Sequence, residues 1–149
     1  MPPDDKAPRP QKLSVIVFSG DFDKVHYALA MVSAAVAVNM PATVFFTMEA
    51  IRALGRADAD GTPGWQVLKT GGGEAAAQAD ALYAERGIAT FEELLGACRE
   101  LGARFMVCEM GLRAIGLTTR DLRGDIAYTE GGLVTFLNDA RAQGAVVFV

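Results

Sequence analysis

The chain has 149 residues, of which 51% are apolar and 21% charged, and its formal net charge is -4. Such a length and balance suit one domain with a full core and exclude a disordered chain. The acidic balance also speaks against a nucleic-acid binder, which needs a surplus of Lys and Arg facing the phosphates.

Residues 1–11, MPPDDKAPRPQ, are polar and rich in proline. They lack the apolar centre of a targeting peptide and read as a mobile tail ahead of a single domain over residues 12–149. Five apolar runs read as strands: Leu13 to Ser19, Ala42 to Thr47, Arg104 to Cys108, Ile126 to Tyr128 and Ala145 to Val149. Helical patterns lie between them. Strand and helix in alternation predict an α/β fold in three layers, α/β/α, with a mainly parallel sheet.

The first helix is expected from about Phe22 to Val38, with Val25, Leu29, Val32 and Val36 as its stripe. Ala and Met fill most of its other faces. A helix that is apolar nearly all round is buried on more than one side, which predicts a subunit contact. Tyr27 to Met48 taken together are apolar enough to imitate a membrane span. Asn39-Met40-Pro41 divides that stretch into a buried helix and a buried strand, because asparagine ends helices and proline restarts the chain extended. Strands of parallel sheets are apolar on both faces, so the run needs no membrane.

Residues 55–89 break the alternation with Gly55, Gly61, Pro63, Gly64 and the run Gly71 to Gly73. A short Ala-rich helix near Glu74 to Glu85 fits within this excursion. It is too long for a simple connection and reads as a lid or interaction arm. Thr90 and Glu93 then form a capping box, in which each side chain satisfies a backbone N–H of the first turn. Phe91, Leu94, Leu95, Cys98 and Leu101 share one face of the helix that follows, and Gly102 stops it. The last helix is expected over Glu130 to Gln143, with Thr129 as its cap and Leu133, Phe136, Leu137 and Ala140 facing inward. Gly144 releases the final strand.

The two cysteines are too few for a disulfide framework, and without a secretory signal both are expected reduced and cytoplasmic. Cys98 lies on the buried stripe of its helix and reads as a small hydrophobe. Cys108 closes the strand RFMVC. The loops beyond the carboxyl ends of parallel strands form the binding crevice. Glu109 to Leu117 read as the start of a helix, whose dipole favours thiolate, the nucleophilic form. The adjacent Glu109 works the other way, since a nearby negative charge disfavours thiolate.

Taken in order, IVFSGDFDK, VFFTM, GIATFEELLGACRELGARFMVCEMGLRAIGL and GGLVTFLNDARAQGAVVFV resemble the DsrE/DsrF-like (DsrEFH) sulfur-relay family. The resemblance is to the branch whose members carry a cysteine followed by a Met-containing helix. It spans most of residues 13–149 and weakens across 55–85. It implies a homo-oligomer, a trimer or a multiple, and a cysteine that carries sulfur as a persulfide. That cysteine maps onto Cys108, with Met110 and Gly116 fitting the pattern after it. Glu109, Gly111 and Arg113 depart from the family's usual residues. So does TMEAI after the second strand, where an aromatic-rich turn is common. The partners implied are sulfur donor and acceptor proteins, rhodanese-like or TusA-like.

The chemistry expected is attack of the Cys108 thiolate on a sulfane sulfur, which needs an exposed nucleophile and neither metal nor organic cofactor. Glu109, Met110 and Gly111 have free N–H groups to offer the sulfur. Ser19, Gly20 and Asp21 end the first strand on the same rim and are expected beside the site, although Ser-Gly-Asp is also ordinary loop chemistry. His26, the only histidine, falls near the start of the first helix. It reads as a thiolate partner or as an exposed helix residue. Zinc binding lacks clustered ligands, nucleotide binding lacks a phosphate motif, and no nucleophile motif accompanies His26. The alternative function is a non-catalytic docking or assembly subunit of the same fold.

Overall fold

The computed structural model describes residues 8–141 and 143–149. The tail expected over residues 1–11 falls mostly outside them. Its last residue, Gln11, is already tied to the fold, donating its N–H to the carbonyl of Gln143 at 3.2 Å.

The strands are β1 (Leu13–Val17), β2 (Ala42–Phe46), β3 (Arg104–Cys108), β4 (Tyr128–Gly131) and β5 (Ala145–Phe148). They form one all-parallel sheet in the order β4-β3-β2-β1-β5. The helices are α1 (Phe22–Ala37), α2 (Ala76–Glu85), α3 (Phe91–Glu100), α4 (Glu109–Ile115) and α5 (Leu133–Ala140). They lie on both faces, so the fold is the expected α/β/α sandwich. Every residue of the central strand β2 is buried, which accounts for the unbroken apolar run in its sequence.

Side chains alternate along each strand, and the two faces are covered very differently. On one face Val15, Val17, Val44, Phe46, Phe105 and Val107 pack against α1, α3 and the segments after β2 in a single large core. On the other, Phe45, Met106 and Cys108 meet Phe136 of α5, with Ile16 beside them. Asp139, near the end of α5, accepts from Lys12 Nζ, from Thr43 Oγ1 at 2.6 Å and from Arg104 Nη1 at 2.6 Å. Those three residues stand at the starts of β1, β2 and β3, so a buried ion pair pins the far end of α5 to the sheet.

Local chemistry explains the helix ends. After α1, Asn39 takes a left-handed φ of 62°. Its N–H bonds the carbonyl of Val36, and that of Met40 bonds the carbonyl of Ala35, so the last turn closes on itself. Gly102, at φ 87°, ends α3 the same way. Thr90 caps α3 by accepting from Glu93 N–H. The Glu93 carboxylate takes the Thr90 hydroxyl rather than its backbone, so only half of the expected capping box forms.

Two expectations need correction. Residues 128–131 are strand, and the last helix begins only at Leu133, with Gly132 as its cap in place of Thr129. Pairing with β3 in register claims Tyr128 to Gly131 before a helix can start. Of that helix's expected inner stripe only Phe136 and Ala140 are buried, while Leu133 and Leu137 are 49% and 62% exposed. Much of the apolar surface of α1 is used within the chain, while Tyr27 stays 66% exposed. Its stripe meets the sheet, Cys98 of α3 donates to the Leu29 carbonyl, and Tyr83 of α2 stacks on its Phe22.

The excursion is likewise part of the body. Trp65 is buried, its ring 5.4 Å from Phe22 and 5.1 Å from Phe91, and its Nε1 donates to Glu92. The segment is stitched to the start of α1 by Phe22 N–H to the Lys69 carbonyl and Gly71 N–H to Asp23. It covers the α1–α3 face, the opposite face from the Cys108 side chain, and so is no lid over that sulfur. No helix among the described residues is long and apolar enough to cross a membrane.

Candidate functional site at the carboxyl rim of the sheet

The connections put a switch point at β1. The chain leaves β1 toward β2 and β3, and later returns to set β5 on the other side of β1. Crevices in open α/β sheets form beyond the strand ends at such a point. A groove of about 670 Å³ lies there, lined by Phe18, Ser19 and Gly20 after β1, Met48 and Glu49 after β2, Lys24 of α1, and Phe148 and Val149 at the end of β5. Its floor is apolar, with the Phe18 and Phe148 rings 5.4 Å apart. The expected rim residues Ser19 and Gly20 line it. Asp21 precedes α1, its N–H bonded to Ser19 Oγ at 3.1 Å and its carboxylate 3.4 Å from Lys24 Nζ.

Cys108 ends β3, as the sequence predicts, and caps α4. Its Sγ accepts the N–H of Gly111 at 3.4 Å. Of the three N–H groups that open α4, that of Gly111 is the one bonded to the sulfur. Gly111 is required there for a second reason. A β-carbon on it would lie 2.6 Å from Met48 N and 2.8 Å from Thr47 Oγ1. This tight contact joins the sulfur cap to the wall of the groove. Met48 itself holds a left-handed φ of 51°, unusual for a residue other than glycine.

The expected exposure of the thiol is not found. Cys108 is 1% exposed, covered on the α5 side by Phe136 together with Phe45 and Met106. Period-two alternation explains this. Met106 and Cys108 point to the same face of β3, and that face is roofed by the start of α5. Glu109 and Met110 are exposed on α4, while Gly111 is buried. Cys98 is fully buried, and burial pushes its thiol up to about 12.

His26 is neither exposed nor beside Cys108. It is buried on the α1–α3 face, its ring 4.7 Å from Tyr83 and 5.9 Å from Phe22, with Nε2 against the Ala89 carbonyl at 2.8 Å. It fastens the segment before α3 to α1. Among the described residues no group of His, Cys, Asp and Glu is placed to hold a metal ion. Sequence reasoning missed Met48, Glu49, Lys24 and Phe148 as groove residues. Only the strand order, which no local pattern encodes, brings the ends of β1, β2 and β5 together.

No family model and no curated protein sequence matches the chain. Solved structures do. A protein of unknown function from Methanobacterium thermoautotrophicum, MTH1491, is 14% identical with a TM-score of 0.56, over 93% of this chain and 98% of that one. The ychN protein from E. coli is 16% identical, also with a TM-score of 0.56, over 93% of this chain and 99% of that one. Identities so low speak to architecture alone, and both neighbours are DsrE-like in fold. This chain has the DsrE-like fold.

Proposed function

We propose that the chain is a sulfur carrier of the DsrE type, with Cys108 as the atom that is loaded, acting within a homo-oligomer. The observation that carries this reading is the position of the sulfur: the carboxyl end of β3, at the cap of α4, joined through Gly111 to a groove at the switch point. In the step, the Cys108 thiolate attacks the outer sulfur of a donor persulfide. The donor's S–S bond breaks, a new S–S bond forms on Cys108, and the donor leaves as a thiolate, with no net oxidation. An acceptor thiolate removes the sulfur by the same exchange.

Because Cys108 is covered, transfer requires the start of α5 to move. Its far end is pinned through Asp139, whereas its near end is held by Phe136 and follows Gly131-Gly132. The burial of Cys108 also favours a second reading, a docking or assembly subunit that keeps the fold without the chemistry. Intact-mass analysis after incubation with a persulfide donor separates the two. The carrier gains one sulfur atom per chain, removable by reductant and lost in Cys108→Ser. A wild-type chain that stays unloaded beside a control carrier loaded by the same donor is a docking subunit.

A further inference from the structure

Thr47 follows β2 and is buried, as are Thr43 and Thr70. Those two commit their hydroxyls. Thr43 Oγ1 donates to Asp139 at 2.6 Å, and Thr70 Oγ1 accepts the N–H of Glu74 at 3.1 Å. Thr47 stands at the head of the short helical turn Met48–Leu54, where a threonine ordinarily caps the first N–H groups. Its side chain makes no such bond, which leaves the hydroxyl uncommitted among the described residues. A buried polar group in that position calls for a partner.

Two relations set this hydroxyl beside Cys108. The first is register. Phe45 pairs with Met106 and Phe46 with Val107, so Thr47 continues β2 alongside Cys108. Alternation puts Thr47 on the side of Phe45, the α5 face, where the Cys108 side chain also lies. Neighbouring strands run about 4.8 Å apart, so the two residues are adjacent on that face. The second is the cap of α4. Gly111 gives its N–H to Cys108 Sγ at 3.4 Å, and a β-carbon on Gly111 would lie 2.8 Å from Thr47 Oγ1. Sulfur and hydroxyl therefore flank the same glycine.

We infer that the Thr47 hydroxyl is the donor that holds the outer sulfur of the persulfide on Cys108. The inference rests on the sulfur-carrier function proposed above and adds a residue to it. In the transfer, the Cys108 thiolate bonds to the donor's outer sulfur as the donor's own S–S bond breaks. The outer sulfur arrives as S–H, and its proton passes to the departing thiolate. The negative charge then rests on the outer sulfur, with no net oxidation. That atom lies about 2.05 Å beyond Sγ, one S–S bond further out. Gly111 N–H already serves Sγ, so the outer sulfur needs a donor of its own. A hydroxyl that donates to an anion favours the charged form, and more strongly where water is excluded.

Intact-mass analysis of the full chain, loaded with cysteine persulfide, tests the inference with Thr47→Val and Thr47→Ser beside the wild type. Valine keeps the branched shape and loses the hydroxyl, whereas serine keeps the hydroxyl. Once the donor is removed and free cysteine is added as acceptor, Thr47→Val is expected to lose its extra sulfur about tenfold faster, the worth of one hydrogen bond to a charged group. Thr47→Ser is expected to hold its sulfur as the wild type does. Iodoacetamide labelling of unloaded Cys108 is expected to run equally fast in all three, because Sγ keeps its Gly111 donor. Circular dichroism and denaturant unfolding check that each variant is folded. Equal retention in Thr47→Val and the wild type overturns the inference and leaves the sulfur-carrier function standing. So does a Thr47→Ser that loses sulfur as fast as Thr47→Val. A Thr47→Val whose labelling changes as much as its retention also overturns it, since packing alone then explains the effect. A wild type that takes up no sulfur, beside a control carrier loaded by the same donor, overturns the sulfur-carrier function itself, and this inference falls with it.

Discussion

The two faces of the sheet are built to different standards. The α1–α3 face carries long helices, the stitched excursion and an aromatic cluster of Phe22, Trp65, Tyr83 and Phe91. The α5 face has one eight-residue helix that buries only Phe136 and Ala140. Stability concentrates on the first face, and that is where His26 and Cys98 are locked away. The candidate chemistry lies on the second, where little needs to move. Regions held by few buried contacts open most readily.

The comparison is most sharply tested by paired truncations. Phe22→Ala should cost about 4 kcal/mol, because its cavity is walled on every side, and Phe136→Ala about 3 kcal/mol, because the thin face can settle into the space. Denaturant unfolding reads both. Phe136→Ala should also speed alkylation of Cys108, while Cys98 stays slow behind its raised pKa. Equal or reversed costs would mean that the two faces are equally consolidated.

Next in size is the pin at the far end of α5. Asp139→Asn leaves the buried ammonium of Lys12 without its counter-charge and should cost about 3 kcal/mol. Burial pushes the Asp139 carboxyl up. Bonds from Lys12 and Thr43, with the charges of Lys12 and Arg104, outweigh this and hold it below the usual carboxylate range. Hydrogen bonds from Arg123 likewise lower Glu92 and Asp125 on the other side. A lowered carboxyl binds its proton more readily in the unfolded chain. Its stabilisation is therefore complete above the unfolded pKa and is lost as pH falls through the folded one. Unfolding free energy should be flat near neutrality and fall below about pH 4. In Asp139→Asn that acid slope should be shallower. An unchanged slope would show that Asp139 is not the anchor.

The smallest effect expected is at a helix end. Thr90→Ala removes the cap of α3 and should cost about 1 kcal/mol, with no change in Cys108 alkylation. Faster alkylation in this variant would mean that the two faces are coupled through the sheet.

Much of this was legible in the chain because it is local. RFMVC is a strand bounded by Gly102 and a helix start, and the structure gives β3 the same limits. Asn39-Met40-Pro41 separates helix from strand through backbone preferences acting within a few residues. The position of Cys108 at a strand end and helix cap follows from the same kind of signal. Its burial does not, because which face of β3 is roofed depends on where α5 lands, some twenty-five residues later in the chain. Likewise, which apolar turns of α1 are covered depends on where α2 and α3 land, and Tyr27 is left exposed.

By itself, then, the sequence determined the order of strands and helices, most of their ends up to β3 and the α/β class, since these follow from periodicity and capping within short windows. Only the tertiary structure decided the strand order, the groove made by the ends of β1, β2 and β5, and the burial of His26 and Cys108. Each of those rests on contacts between residues far apart in the chain. The free energy of such contacts comes from shared burial, which no single segment carries alone.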